Sequence, residues 1–126
     1  MNKIFLIIFL IIPSFLIGQQ TDSIKISNRV DSLMQKARIL SGGRNFDEAL
    51  EKISLAKAIC LEYIGKYSSQ YGTVSFNFGR VLHLQGNLEE AETWYIESQV
   101  IREKVLGKVH PDYAWSLNNL ATIYKS

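Results

Sequence analysis

The chain has 126 residues, of which 47% are hydrophobic and 21% charged, and its formal net charge is +2. This length and composition predict one small domain. A charge so close to neutral disfavours nucleic acid as a partner, because that ligand requires a strong positive field. Cys60 is the single cysteine, which excludes an internal disulfide framework.

Residues 1–18 have the pattern of a secretory signal peptide. Lys3 supplies a positive charge, an apolar run from Ile4 to Leu16 follows, and Gly18 precedes the expected cleavage site. The alternative is an uncleaved membrane anchor. It is less favoured, because a spanning helix needs roughly 20 apolar residues and this run is shorter and contains Pro13. Cleavage leaves 13 basic and 12 acidic residues, a balance of +1. We therefore expect an exported protein, periplasmic or extracellular, with no membrane segment in the mature chain.

Beyond a lead-in over residues 19–29, the sequence repeats itself at a spacing of 42 residues. The positions that keep this register are Ala37 with Gly79 and Ala121, Arg38 with Arg80, Leu40 with Leu82, Asn45 with Asn87, Glu48 with Glu90, Ala49 with Ala91, Ile59 with Ile101 and Tyr71 with Tyr113. A fixed period indicates a repeat architecture. It divides the chain into repeat 1 over residues 30–71, repeat 2 over residues 72–113, and helix A of an incomplete repeat 3 over residues 114–126.

Each complete repeat is predicted to contain two antiparallel helices, A and B. In repeat 2, helix A covers about residues 71–85, where apolar residues recur every three or four positions, and Gly86 ends it. Helix B opens with a capping-box pattern from Asn87 to Glu90, and residues 45–48 repeat that pattern in repeat 1. Small residues such as Ala49 and Ala91 allow the two helices to approach closely.

These residues resemble the tetratricopeptide repeat. The small positions of its pattern fall at Ala37, Ala49 and Ala56, then at Gly79, Ala91 and Ser98; the bulky positions fall at Phe46, Ile53, Leu88 and Tyr95. Leu106-Gly107 followed by His110-Pro111-Asp112 is similar to the longer-period repeat of the kinesin light chain type. The resemblance covers about residues 30–126. It implies an all-α, right-handed superhelical solenoid of antiparallel helix hairpins with about two and a half repeats.

The residue types that could carry chemistry here have structural explanations. Pro111 fixes its backbone φ at a value that suits a turn, and Asp112 is expected to cap the helix that follows. His83 and His110 lie on different elements without a ligand partner at metal spacing. Cys60 falls on an apolar helical pattern, which predicts a buried structural thiol. The sequence contains no phosphate-binding loop, serine elbow or carboxylate pair, so we expect no enzymatic activity, no cofactor and no metal.

The resemblance also implies a peptide-binding groove, because helix A side chains that point away from helix B line the concave surface in that family. Mapping that register gives Gln35 and Arg38 from repeat 1, Phe76, Asn77, Arg80 and His83 from repeat 2, and Asn118, Asn119 and Thr122 from repeat 3, with Met34, Ser41 and Lys125 beside them. Arg38 and Arg80 share a repeat position and suit carboxylates, while asparagines suit a peptide backbone. The alternative is that these residues are solvated and the chain binds elsewhere. Trp94 and Trp115 are expected to pack between repeats.

The predicted function is a protein–protein interaction scaffold that binds a peptide segment in this groove. The predicted partner is a protein or peptide, and the uncovered helix A of repeat 3 offers a surface for self-association. The alternative is the sensory or targeting N-terminal region of a larger signalling protein or protease-like enzyme, with its effector domain beyond residue 126. We expect the chain to be a truncated gene product or a fragment of a longer array, because it stops before a third helix B.

Overall fold

The fold was examined in a computed structural model, which describes residues 13–126. The signal-peptide prediction rests mainly on residues 1–12, which lie outside the described residues. Within the described part, the chain forms five α-helices and no strand: α1 (Ser14–Gly42), α2 (Phe46–Ile59), α3 (Ser69–Gln85), α4 (Leu88–Leu106) and α5 (Pro111–Lys125). A π-helical turn over Cys60–Ile64 extends α2. The all-α prediction is confirmed, and the lead-in over residues 19–29 is part of α1.

The five helices stack in the order of a helical repeat. Each helix packs against the next along the chain, and in addition α1 contacts α3 and α3 contacts α5. Helices α1 and α2 therefore form one hairpin and α3 and α4 form the next, while α5 covers one side of α4. Of the helices within residues 13–126, none combines the length and the apolar character needed to cross a bilayer.

The 42-residue period is also present in the backbone. The starts of α2 and α4 are 42 residues apart, as are the starts of α3 and α5. The turn after the B helices uses Gly65 at φ 105° and Gly107 at φ 85°. The turn before them uses Arg44 at φ 62° in repeat 1 and Gly86 at φ 87° in repeat 2. Repeat 1 thus places an arginine in a left-handed conformation that glycine adopts at lower cost.

The predicted capping boxes at the starts of α2 and α4 are wrong. Asn45 and Asn87 occupy the N-cap positions, but neither side chain caps its helix. The backbone N–H of Asn45 donates to Leu40 O at 2.8 Å, and that of Asn87 to Leu82 O at 2.9 Å. These bonds hold ψ at 73° and 69°, whereas a capping side chain requires an extended backbone.

Extended residues do cap α3 and α5. Ser68, at ψ 154°, accepts from the N–H of Tyr71 at 3.1 Å. His110, at ψ 138°, accepts through Nδ1 from the N–H of Asp112 at 3.1 Å. Asp112 was expected to be the cap of α5 and instead lies in its first turn, because the preceding Pro111 occupies a helical position and moves the cap back to His110.

Small residues lie where the helices approach most closely. Ala49 and Ala91 are fully buried, as the repeat pattern requires. Trp94 packs between repeats as predicted, since its ring stacks on Phe78 of repeat 2 with centroids 4.4 Å apart and Lys57 Nζ of repeat 1 lies 5.0 Å from its centroid. The same prediction for Trp115 is wrong, because its side chain is 59% exposed. The buried stripe of α5 is formed by Ser116, Leu120 and Ile123, and Trp115 precedes that stripe by one residue, which turns it away by about 100°.

Candidate functional site

A concave cavity of about 470 Å³ opens between the A helices and the second B helix. Its lining residues come from α1, α3, α4 and α5: Arg38, Thr73, Phe76, Asn77, Arg80, Arg102, Asp112, Trp115 and Asn119. The cavity brings together Arg38, Phe76, Asn77, Arg80 and Asn119 from the predicted groove. Thr73, Arg102, Asp112 and Trp115 were not predicted.

The other predicted groove residues lie outside this cavity. Gln35, Asn118 and Thr122 are exposed on α1 and α5. His83 is half-buried, with its ring edge-on to Tyr95 at a centroid distance of 6.2 Å. Met34, mapped beside the groove, is a core residue with 1% exposure, so that assignment is wrong. The helix register turns Met34 toward Val30, Leu33 and Ala37 and away from the concave side.

Arg80 is the central cation of the cavity. Its Nη2 donates to Ser41 Oγ at 3.0 Å, and the Ser41 hydroxyl donates to Arg38 O at 3.1 Å, so Arg80 is held against the end of α1. Burial, with the nearby charge of Arg38, lowers the pKa of Arg80. The three ion pairs within residues 13–126 all use lysine, so no carboxylate lies within 4.0 Å of a described arginine. Arg80 therefore has one hydrogen bond to a neutral hydroxyl group and no counter-charge in contact.

Two asparagines differ in what they leave for a ligand. Asn77 donates from Nδ2 to Thr73 O at 2.8 Å, which fixes the amide orientation. Its Oδ1 is buried and has no hydrogen-bond partner among residues 13–126. Asn119 donates to Trp115 O at 2.9 Å and accepts from the Tyr95 hydroxyl at 3.3 Å. Asn77 Oδ1 can accept a hydrogen bond from a ligand, whereas the oxygen and the nitrogen of the Asn119 amide already take part in hydrogen bonds of the fold.

Arg102 is the most important residue that the sequence mapping missed. It lies on α4, a B helix, and is only 4% exposed. Its guanidinium carbon is 4.6 Å from the Phe76 ring centroid, and Nη1 donates to Asp112 O at 2.9 Å and to Ser116 Oγ at 3.0 Å. Burial lowers the pKa of Arg102, and the negative charge of Asp112 opposes that shift. The mapping considered A helices only; comparison at the 42-residue spacing, which aligns Arg102 with Cys60, could have found it.

The cavity is therefore a positively charged site with aromatic walls. Three arginines face one carboxylate, Asp112, and the rings of Phe76 and Trp115 complete the surface. Guanidinium groups in partly desolvated surroundings bind carboxylates strongly, because a guanidinium is weakly hydrated and offers paired N–H donors to the two carboxylate oxygens. The arrangement is chemically suited to hold an acidic group.

Cys60 is fully buried, as predicted, and burial together with the charge of Asp31 raises the pKa of its thiol to about 11. A thiol in that state is a poor nucleophile at neutral pH. Across residues 13–126 no three His, Cys, Asp or Glu side chains are grouped in a way that could hold a metal ion.

Stacked helix hairpins with a concave cavity define a helical-repeat domain. A family model described as tetratricopeptide repeat matches residues 29–98 and, in an overlapping second match, residues 74–126. The chain therefore belongs to the tetratricopeptide repeat family. Members of this family generally mediate protein–protein interactions and are typically scaffolds without enzymatic activity. No curated protein matches the chain.

Proposed function

We propose that the chain binds a segment of another protein that carries acidic side chains, and that this segment occupies the concave cavity. The observation that supports this most directly is the position of Arg38 and Arg80, which line one cavity and have no carboxylate within 4.0 Å. Arg80 has lost much of its hydration without gaining an ionic partner. A carboxylate from outside would offset that cost.

The neighbouring polar groups favour a polypeptide as the source of that carboxylate. The unpartnered Oδ1 of Asn77 requires a donor, and a peptide N–H close to an acidic side chain supplies one. The Phe76 ring provides an apolar surface beside it. An acceptor for a peptide N–H and two guanidinium groups for a carboxylate together fit a short acidic segment in extended or helical form.

The test uses peptides selected on the chain itself from a random display library. We expect Asp and Glu to be enriched, and we expect the double variant Arg38→Ala/Arg80→Ala to weaken binding of the selected peptides at least about tenfold, the loss of about 1.4 kcal/mol. Binding would be measured by calorimetry and folding by the thermal midpoint Tm.

The control is the double variant Lys25→Ala/Lys36→Ala, which removes the same charge from exposed positions of α1 outside the cavity. It should bind the selected peptides as the wild type does. Selected peptides without acidic enrichment, or equal affinity for the two double variants, would contradict the proposed function.

We further propose that residues 1–18 direct export, on the strength of Lys3 and the apolar run from Ile4 to Leu16. Expression in a bacterium followed by mass spectrometry of the exported fraction should show a mature chain that begins near Gln19. Recovery of the intact N-terminus in the membrane fraction would support the uncleaved anchor instead.

A further inference from the structure

The junction of α3, α4 and α5 differs chemically from its counterpart one repeat earlier. In the first junction, the fully buried side chains include Ala56, Cys60 and Val74. At a spacing of 42 residues, the second junction has Ser98, Arg102 and Ser116. All three are also buried. The fold thus packs the first junction with apolar side chains. Packing therefore does not require the polar side chains and the buried cation of the second junction.

Arg102 is held in this junction by neutral acceptors alone. Both of its hydrogen bonds leave from Nη1 and end on α5, at Asp112 O and Ser116 Oγ. Its Nε is buried and has no partner among residues 13–126, and no carboxylate lies within 4.0 Å. Arg102 is thus an arginine with 4% exposure that lines a cavity without a counter-ion, an arrangement that suits an anion.

The same hydrogen bonds connect the cavity to the position of α5. Ser116 Oγ is 3.1 Å from Ser98 Oγ, and the Ser98 hydroxyl donates to Gly72 O at 2.8 Å. Ser98 therefore joins α4 to α3, and Ser98 and Arg102 together join α4 to α5. Leu120 and Ile123 are the buried apolar residues of α5, and two further hydrogen bonds link this helix to α4: Tyr95 donates to Asn119 at 3.3 Å and Tyr124 donates to Glu92 at 2.6 Å.

We infer that Arg102 forms a subsite for one carboxylate of the bound segment and that occupation of this subsite holds α5 more firmly against α4. This inference rests on the proposed function and assigns one acidic side chain of the segment to a deeper position than the pair Arg38 and Arg80. An anion at Arg102 restores the charge balance of the residue that tethers α5. Binding at the cavity and docking of α5 are then thermodynamically linked.

Asp112 is the internal competitor of that carboxylate. It lines the cavity, and its charge acts on Arg102. A ligand carboxylate in the subsite is repelled by Asp112 at the same time as it is attracted by Arg102. Removal of the Asp112 charge by Asp112→Asn is therefore expected to raise the affinity severalfold, about three- to tenfold for one nearby like charge.

The experiment titrates the full chain with acetyl-tetraglutamate amide, whose ends are blocked, and uses acetyl-tetraglutamine amide as the uncharged control. NMR spectra report the arginine Nε–H and Trp115 indole signals, and hydrogen exchange reports the protection of α5 amides. In the wild type, the acidic peptide should shift the signals at the cavity and increase α5 protection. Arg102→Met should lower its affinity about tenfold and abolish the added protection. Lys104→Met removes an exposed charge from the same helix and should change neither.

A second variant guards against failure of Arg102→Met to fold. The triple variant Ser98→Ala/Arg102→Cys/Ser116→Val carries the side chains of the first junction and should protect α5 with or without peptide. If Arg102→Met and the triple variant bind the acidic peptide like the wild type while Arg80→Met does not, the subsite is overturned and the proposed function stands. If no measurement on the wild type distinguishes the acidic peptide from the glutamine peptide, the subsite and the proposed function are both overturned.

Discussion

Replacement of Gly79 by alanine is expected to destabilise the folded chain by about 1–3 kcal/mol, although the change adds only one carbon. A Cβ at this position would lie 2.6 Å from Cδ1 and 2.8 Å from Cε1 of Tyr95. The Tyr95 ring is fully buried and is bordered by Phe76, with centroids 5.6 Å apart, so it has little room to move. Urea unfolding followed by circular dichroism would measure the loss.

Repeat 1 indicates which second change should restore stability. The counterparts of Gly79 and Tyr95 are Ala37 and Ile53, and both are fully buried there. Tyr95→Ile alone should destabilise, because it removes the ring and its hydrogen bond to Asn119. Combined with Gly79→Ala, it should give a coupling energy of at least about 0.5 kcal/mol in the stabilising direction. Strict additivity of the two changes would show that the close approach at Gly79 is not the cause.

Much of the fold could be predicted because its signals are local or periodic. The spacing of 42 residues, the apolar helical stripes and the small residues at Ala49 and Ala91 each depend on helix geometry alone. These signals predicted the all-α architecture and the buried thiol of Cys60, and both are confirmed.

The ends of the helices could not be predicted from residue type. Asn45 and Asn87 are favoured cap residues, yet the backbone bonds of the tight turn hold them at the wrong ψ. His110 is a less common cap, yet its extended backbone places Nδ1 within reach of the first turn of α5. Capping depends on the turn that precedes the helix, and that turn is set by the packing of the whole hairpin.

The candidate site was predicted in part for a related reason. The mapping of A-helix positions placed Arg38, Asn77 and Arg80 on one surface, and the cavity brings them together. It could not place Arg102, because a B helix normally directs that position into the core, as it does with Cys60. Nor could it separate Trp115 from the buried stripe of α5, since a neighbouring residue on a helix differs by only about 100°.

Ser116→Ala is expected to destabilise the chain by about 1–3 kcal/mol, since it leaves buried polar partners unsatisfied. The Ser116 side chain is fully buried and accepts from Arg102 at 3.0 Å, while its Oγ lies 3.1 Å from that of Ser98. Arg102 would keep only Asp112 O as an acceptor. Thermal and urea unfolding of the variant would measure the loss, with the exposed Thr122→Ala, which also removes a hydroxyl from α5, as the matched control.

Replacement of the whole polar set should have the opposite sign. In Ser98→Ala/Arg102→Cys/Ser116→Val no hydroxyl or guanidinium remains to be left unpaired, and the new side chains are those that pack the first junction. Exchange of a buried charged network for packed apolar residues is often neutral or stabilising by about 1–4 kcal/mol, so the triple variant should be at least as stable as the wild type. If it is less stable than Ser116→Ala, the polar junction stabilises the fold by itself. If it is more stable than the wild type but no longer binds acidic peptide, the chain gives up stability at this junction in order to hold a cation where a partner can reach it.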